Sequence, residues 1–356
     1  METHKKNGCR EGYLLSTLST KLILSSDSSP LQGKLLTLTL LLPALFLSCT
    51  QDTINIEETD ERVISQIQIK GGDQLGHMDV FTFNDDHTMF LDSYQRVSGS
   101  SDINVRSQSG KKIIFICANL ERNRYDWADI SSLSSMDQVI SDLRNERRDY
   151  PVMTGSAHAE AGYTEDCSIH MERLISEVAV NSICCDFSGS AYAGEKLKSV
   201  IVYLTNVSSR CSITAEGNIK ATQIINAGGL NEDDIKEFRE IDLVYRKLEK
   251  DIGSRRINTD IRFLCYPNTS DKEGPGTPYT RLVIEGEILG QRYWWPIDIN
   301  RDGGGTGIDR NCQYSYDITL RRKGSDSPDR PVELEAMNIE MRIATWKDKE
   351  DYTVLF

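Results

Sequence analysis

The residues of this chain that could do chemistry are its carboxylates, histidines, cysteines and one glycine-rich run, and spacing decides what each can do. Residues 300–311, NRDGGGTGIDRN, hold three consecutive glycines, the kind of backbone that can close around a phosphate. The run lacks the Lys-Ser/Thr ending of a P-loop and opens no helix, so it reads as a hairpin loop between two alternating strands. Asp302 and Asp309 offer oxygens to a weakly held cation, but their spacing matches no calcium loop. His77, His87, His158 and His170 are scattered and form no HExxH or HxH pair, so no metal ligation is expected. There is no GxSxG elbow and no legible Cys–His pair. No catalytic residue, cofactor or metal is therefore assigned, and the sequence reads as that of a non-enzyme.

Cysteine chemistry divides in two. Among the nine cysteines, Cys117, Cys167, Cys184, Cys185, Cys211, Cys265 and Cys312 show no paired CxxC spacing. Most lie in apolar strand-like runs (IIFICANL, NSICCDF, IRFLCYP), where cysteine behaves as a small hydrophobe, so buried thiols are expected. Adjacent Cys184 and Cys185 would point to opposite faces of a strand and make a poor pair. Cys49 is different. It closes the apolar stretch 35–49, LLTLTLLLPALFLSC, which follows Lys34 and precedes Thr50-Gln51-Asp52. As a helix that stretch spans roughly 20 Å, short of the ~30 Å hydrocarbon core of a bilayer. It is expected to be a secretory signal rather than an anchor. With Ser48 just before the cysteine, the end resembles a bacterial lipobox, which implies cleavage before Cys49 and lipid on its thiol. Residues 1–33 look like neither a domain nor an ordinary signal n-region and are set aside from the fold.

The formal charge of the 356-residue chain is −13. Residues 1–48 carry a net +2, which leaves −15 on the remainder. So acidic a surface argues against nucleic acid as a partner and suits an exported protein. The length beyond Cys49 is enough for two domains of ordinary size.

The elements that position these residues are mostly strands. Residues 63–70 (VISQIQIK) alternate, with Ile67 and Ile69 on one face; 77–84 (HMDVFTFN) follow; 112–120 and 197–207 are apolar on both faces and read as central strands. Ser135 and Gln138 have capping-box spacing, and Met136, Val139, Ile140 and Leu143 form a stripe that predicts a short helix. A second helix is predicted over 230–250, capped by Asn231, acidic in its first turn, with Lys247 and Lys250 in its last. Residues 167–187 form a long apolar segment, and the polar run 188–195 makes a domain joint. The clearest alternation is in 282–288, 293–299 and 314–320, with Pro296 demanding an edge or a bulge. At 338–346, Ile339, Met341 and Ile343 share a face, and a charged turn leads to the terminal YTVLF. The fold class expected is all-β with minor α, two antiparallel β-sandwiches in series: signal 1–48, N-terminal domain 49–187 and C-terminal domain 188–356.

Several stretches together resemble the fimbrillin superfamily, subunits of the type V pili of anaerobic gut and oral bacteria. They are MDVFTFNDD, IIFICANL, PVMTGSA, MERLISEVAVNSI, KSVIVYLTNV, YWWPIDIN with GIDRNCQYSYDITLRRKGSDSPDRPVE, and the tail IEMRIATW with YTVLF. The resemblance implies two transthyretin-like sandwich domains, export as a lipoprotein acylated (palmitate) at Cys49, and attachment to the outer membrane and the fimbrium. The partners it implies are other pilus subunits and a host or bacterial surface ligand. In such subunits a protease trims an N-terminal strand after Arg or Lys, and a neighbour's C-terminal strand fills the groove. Carried over, the trimmed strand is 63–70, with Arg62 and Lys70 as the basic candidates, since no arginine follows it before Arg96. The donor segment is 338–356, through Ile339, Met341 and Ile343 and then Tyr352, Val354 and Phe356. A donor strand burying four side chains at roughly 1.5–3 kcal/mol each gains about 6–12 kcal/mol before ordering costs. The alternative is a surface lipoprotein that binds glycan or peptide, with exposed Trp127 and Trp294 as stacking platforms.

Overall fold

Alternating residues bury one face of a strand, and continuous apolar runs bury both; the two patterns sort the strands of this chain into sheets. The computed structural model describes residues 62–71, 75–121, 127–162, 167–214, 224–238, 245–274, 276–301, 305–330, 332 and 337–346. The first half supplies β1 (Val63–Lys70), β2 (His77–Asn84), β3 (Leu91–Ser98), β4 (Asp102–Ser107), β5 (Gly110–Ala118), β6 (Ile140–Asp142), β7 (Met153–Ala161), β8 (Cys167–His170) and β9 (Glu172–Arg173). A five-stranded sheet runs β3-β2-β5-β7-β9, and a three-stranded sheet runs β4-β1-β8. The inward residues of the smaller sheet, Ile67, Ile69, Ile103, Val105 and Ile169, pack with Met78, Val80, Ile114, Ile116 and Met153 of the larger. Because β2 and β5 are apolar on both faces, their other side (Phe81, Phe83, Phe115, Cys117) joins a second, larger core.

That core continues into β10 (Ser176–Cys185), β11 (Lys198–Thr205), β12 (Val207–Ser208), β13 (Arg210–Ser212), β14 (Ile224–Ile225), helix α1 (Glu232–Glu237), β15 (Tyr245–Lys247), β16 (Ile257–Cys265), β17 (Arg281–Ile288), β18 (Gln291–Asp298), β19 (Cys312–Leu320) and β20 (Met337–Thr345). Two four-stranded sheets, β16-β10-β19-β20 and β15-β11-β17-β18, supply its walls. Val178, Phe263, Tyr316 and Ile318 come from one, Val202, Leu204, Ile284 and Trp295 from the other. The protein is thus all-β with little helix. Most ladders are antiparallel; β1–β8 and β10–β19 run parallel.

Four expectations are corrected. The helix from Ser135 is instead a 3-10 turn, Leu133–Gln138, followed by β6 and a second 3-10 turn, Leu143–Asn145. Met136, Val139 and Leu143 are still buried, but Ile140 points outward, as a strand requires. The 230–250 helix ends at Glu237, where buried Phe238 caps it, and Tyr245–Lys247 is a strand paired with β11. Segment 167–187 does not belong wholly to the first half: β10 pairs with β16 and β19, so the change of sheet precedes Ser176 rather than following Phe187. Finally, 300–311 is no hairpin loop, since β18 pairs with β17 while β19 pairs with β10 and β20. It is a crossing between sheets, tied by Asn300 to Gly307 and by the Arg301 guanidinium to the carbonyls of Asn268 and Ser270.

The β17–β18 hairpin turns through Leu289 (φ 52) and Gly290 (φ 79), both left-handed. Leucine pays for that backbone, about 1–2 kcal/mol, while its side chain is 65% exposed and packs little. Asn-Gly is the preferred pair in such a turn. Leu289→Asn is expected to raise the melting temperature by a few degrees; an unchanged or lower value counts against this account of the turn.

Candidate functional site

Two strands carry the functional expectation, and the fold treats them differently. β1 is an interior strand. It pairs antiparallel with β4 from Val63↔Ser107 to Gln68↔Asp102, and parallel with β8 from Ile67↔Cys167 to Lys70↔His170. Its alternation is read out directly: Ile67 and Ile69 are buried, while Ile64, Gln66, Gln68 and Lys70 are exposed. The ladder reaches its last residue, since the Lys70 carbonyl accepts from the Met171 N–H at 2.8 Å. Gly71 then turns away with φ 77, a conformation that favours glycine. Arg62 and Lys70, both exposed, stand at opposite ends of this strand. The difference has a topological consequence. A cut after Arg62 leaves β1 attached to the fold, whereas a cut after Lys70 removes its only covalent tie to the strands that follow.

β20 is an edge strand. Among the described residues it pairs with β19 alone, in unbroken antiparallel register from Cys312↔Thr345 to Leu320↔Met337. Ile339, Met341 and Ile343 lie opposite Ile318, Tyr316 and Tyr314 and lean on the large core, yet each is only half-buried. The three donor candidates thus sit, in this chain, against their own sheet. Cys49, Tyr352, Val354 and Phe356 lie outside the described residues, as does Asp302.

The remaining candidates do not converge. Among the described residues, no group of three or more His, Cys, Asp or Glu is placed to hold a metal. Asp309 instead fixes a turn, its N–H donating to the Tyr314 hydroxyl and its carbonyl accepting from Ser176. His77 meets the Leu120 carbonyl, and exposed His158 pairs with Asp85 at 3.0 Å. The seven cysteines described are free; Cys117, Cys184, Cys185, Cys211 and Cys265 are buried. Burial pushes the Cys185, Cys211 and Cys265 thiols up to about 12, so they are poor nucleophiles. The tryptophan platforms are corrected. Trp127 is half-buried, its ring edge-on to Phe81 at 5.1 Å, and half-buried Trp294 donates its indole N–H to Glu285 at 3.0 Å. Neither ring is laid open as a stacking surface.

Sequence reasoning missed one grouping. Arg173 of β9 lies against Trp346 just past β20, although the two are far apart in sequence and no local pattern links them.

At the level of sequence, no protein-family model and no curated protein matches the chain. Solved structures do. A candidate cell adhesion protein from Parabacteroides distasonis superposes with TM-score 0.60 at 14% identity, over 82% of this chain and 98% of that one. A candidate cell adhesion protein from Bacteroides eggerthii gives 0.58 at 14% identity, over 80% and 96%. The fimbrilin FimA from Porphyromonas gingivalis gives 0.57 at 13% identity, over 80% and 98%. The fold of this chain is fimbrillin-like.

Proposed function

We propose that the chain is a structural subunit of a surface fimbria, built of tandem transthyretin-like sandwiches, exported as a lipoprotein on Cys49 and assembled by strand exchange. It needs no enzymatic activity for this. The observation that carries the reading is the placement of β1, which fills the slot between β4 and β8 and has one onward covalent link, Lys70–Gly71. Cleavage there frees a strand held only by its ladder and by Ile67 and Ile69. The groove left behind has two open edges and a floor of Met78, Val80, Ile114 and Ile116. Such a groove invites an extended segment with apolar residues at alternate positions. Ile339, Met341 and Ile343 have that spacing, and β20, as a half-buried edge strand, is less costly to give up than a strand paired on both sides. The partners on this reading are further pilus subunits, with the outer membrane reached through the lipid.

The test is a cell-surface extract run without boiling in detergent. Full-length chain is expected to give a ladder of detergent-resistant polymers whose subunits begin at Gly71. A chain ending at Met337 is expected to give monomer only. Ladders of equal intensity from the shortened chain overturn strand donation from 338–356.

A further inference from the structure

The end of β20 is gripped by a residue from the opposite half of the chain. Arg173 lies on β9, in the five-stranded sheet, and is only 4% exposed. Its guanidinium carbon sits 5.0 Å from the centre of the Trp346 ring. One of its terminal nitrogens donates to the Trp346 carbonyl and also faces the Asn311 side-chain oxygen at 3.4 Å. Asn311 completes the grip from the other side, its carbonyl accepting the Trp346 N–H at 2.7 Å. It can do so because it adopts φ 57, which turns the chain sharply before β19 begins. The base is fixed in turn. Arg310 donates to the carbonyls of Arg173 and Glu172 and, at 2.8 Å, to the Thr154 hydroxyl, tying β9 and β7 to the same corner.

The grip is placed where it controls most. An edge strand of half-buried residues frays from its ends, and among the described residues the ladder of β20 is to β19 alone, with Ile339, Met341 and Ile343 leaning on the large core. A planar guanidinium can lie over an indole while donating in its own plane to a carbonyl, which a lysine ammonium cannot do in the same geometry. We propose that Arg173 and Trp346 form a latch that keeps β20 on its own chain, and that this latch must open before the strand is given to another subunit. The inference rests on the strand-exchange reading above for its purpose, though not for the latch itself. With the latch open, Tyr314, Tyr316 and Ile318 lose their cover and the β19 edge is unpaired. A second copy, or its β20, is the partner that fits.

Hydrogen exchange on the purified full chain tests it, comparing the parent with Arg173→Lys and, should burial make that variant fold poorly, Trp346→Leu. Deuterium uptake in 337–346 is expected to rise about tenfold, the scale of a lost cation–π contact and a lost hydrogen bond. Protection of β4, whose buried Ile103 and Val105 belong to the first core, is expected to hold. Unchanged uptake in 337–346, or an equal rise in both regions, overturns the latch. Faster uptake together with earlier polymer ladders supports both latch and gating; faster uptake with an unaltered rate of ladder formation overturns the gating. If uptake rises but ladders form equally well without 338–356, the latch stands and strand donation fails.

Discussion

A chain starting at Gly71 is expected to be less stable than its parent by at least about 5 kcal/mol, and the separate peptide VISQIQIK is expected to restore most of that loss. The estimate comes from β1 itself. Ile67 and Ile69 are buried, and each such side chain is worth roughly 1.5–3 kcal/mol, so the pair contributes about 3–6 kcal/mol. The ladder adds to this, since β1 bonds to strands on both sides and each hydrogen bond is worth a net ~1 kcal/mol. Structure is lost beyond these contacts, because β4 and β8 are joined through β1. Without it the three-stranded sheet has no middle, and Ile103, Val105 and Ile169 lose their neighbour. Urea unfolding of the two chains measures the difference, and titration with peptide measures the rescue. The pattern of rescue is the sharper result. A peptide with Ile67→Asp and Ile69→Asp is expected to fail, while one with Gln66→Ser and Gln68→Ser, altered only on the exposed face, is expected to work. Equal midpoints for the two chains remove the basis for regarding β1 as an exchangeable strand.

What the sequence disclosed follows from what periodicity can and cannot encode. Alternation reports which face of a strand is buried; 63–70 was legible in this way residue by residue, whereas β2 and β17 are buried on both faces and only their being strands was legible. Alternation does not report the neighbour. That β1 lies parallel to β8, or that β10 crosses to the sheet of β16 and β19, depends on contacts distant in sequence. The stripe Met136, Val139, Leu143 failed for a related reason. Tight turns followed by a short strand can bury the same three side chains, and the Ser135 hydroxyl, accepting from the Ser132 N–H, caps such a turn as well as it would cap a helix. At α1 the start was legible, because Asn231 accepts from the Asp233 N–H as an N-cap should, whereas the end was set by burial of Phe238.

The candidate site divides in the same way. The strand expected to leave and the strand expected to move were named by the family resemblance; alternation itself showed only that 63–70 and 338–346 are strands, as β1 and β20 are. Which basic residue matters was not legible, since Arg62 and Lys70 differ only in the side of β1 on which they fall. The Arg173–Trp346 contact could not be read at all. It depends on the Asn311 turn and on a pairing of β19 with β20 that brings residue 346 back to β9.

Glu146→Gln is expected to make the protein more stable above neutral pH and to flatten its pH dependence. The Glu146 carboxyl is buried between the two halves: one oxygen accepts from the Ser141 and Tyr266 hydroxyls at 3.1 and 3.0 Å, the other from the Val152 N–H at 3.0 Å. Burial pushes its pKa from the ordinary 4.5 up to about 7, against the opposing pull of those hydrogen bonds. The folded state therefore binds this proton more tightly than the unfolded state does. Stability from the group is fully present below about 4.5, falls as pH rises, and is gone once pH passes about 7. A shift of that size corresponds to about 3 kcal/mol between the two limits. Glutamine removes the charge and keeps the shape. Its carbonyl can still accept from Val152, and the Ser141 and Tyr266 hydroxyls can turn to accept from its amide N–H. Tyr266 is itself held neutral by burial, so it does not titrate in this range. Unfolding by urea at pH 4.5, 6, 7 and 8 is expected to give crossing profiles, with the parent equal or better at the acid end and Glu146→Gln ahead by about 1–2 kcal/mol at pH 8. Parallel profiles would mean that the carboxyl reaches water or another proton donor in the folded chain, and that burial is not what sets its charge.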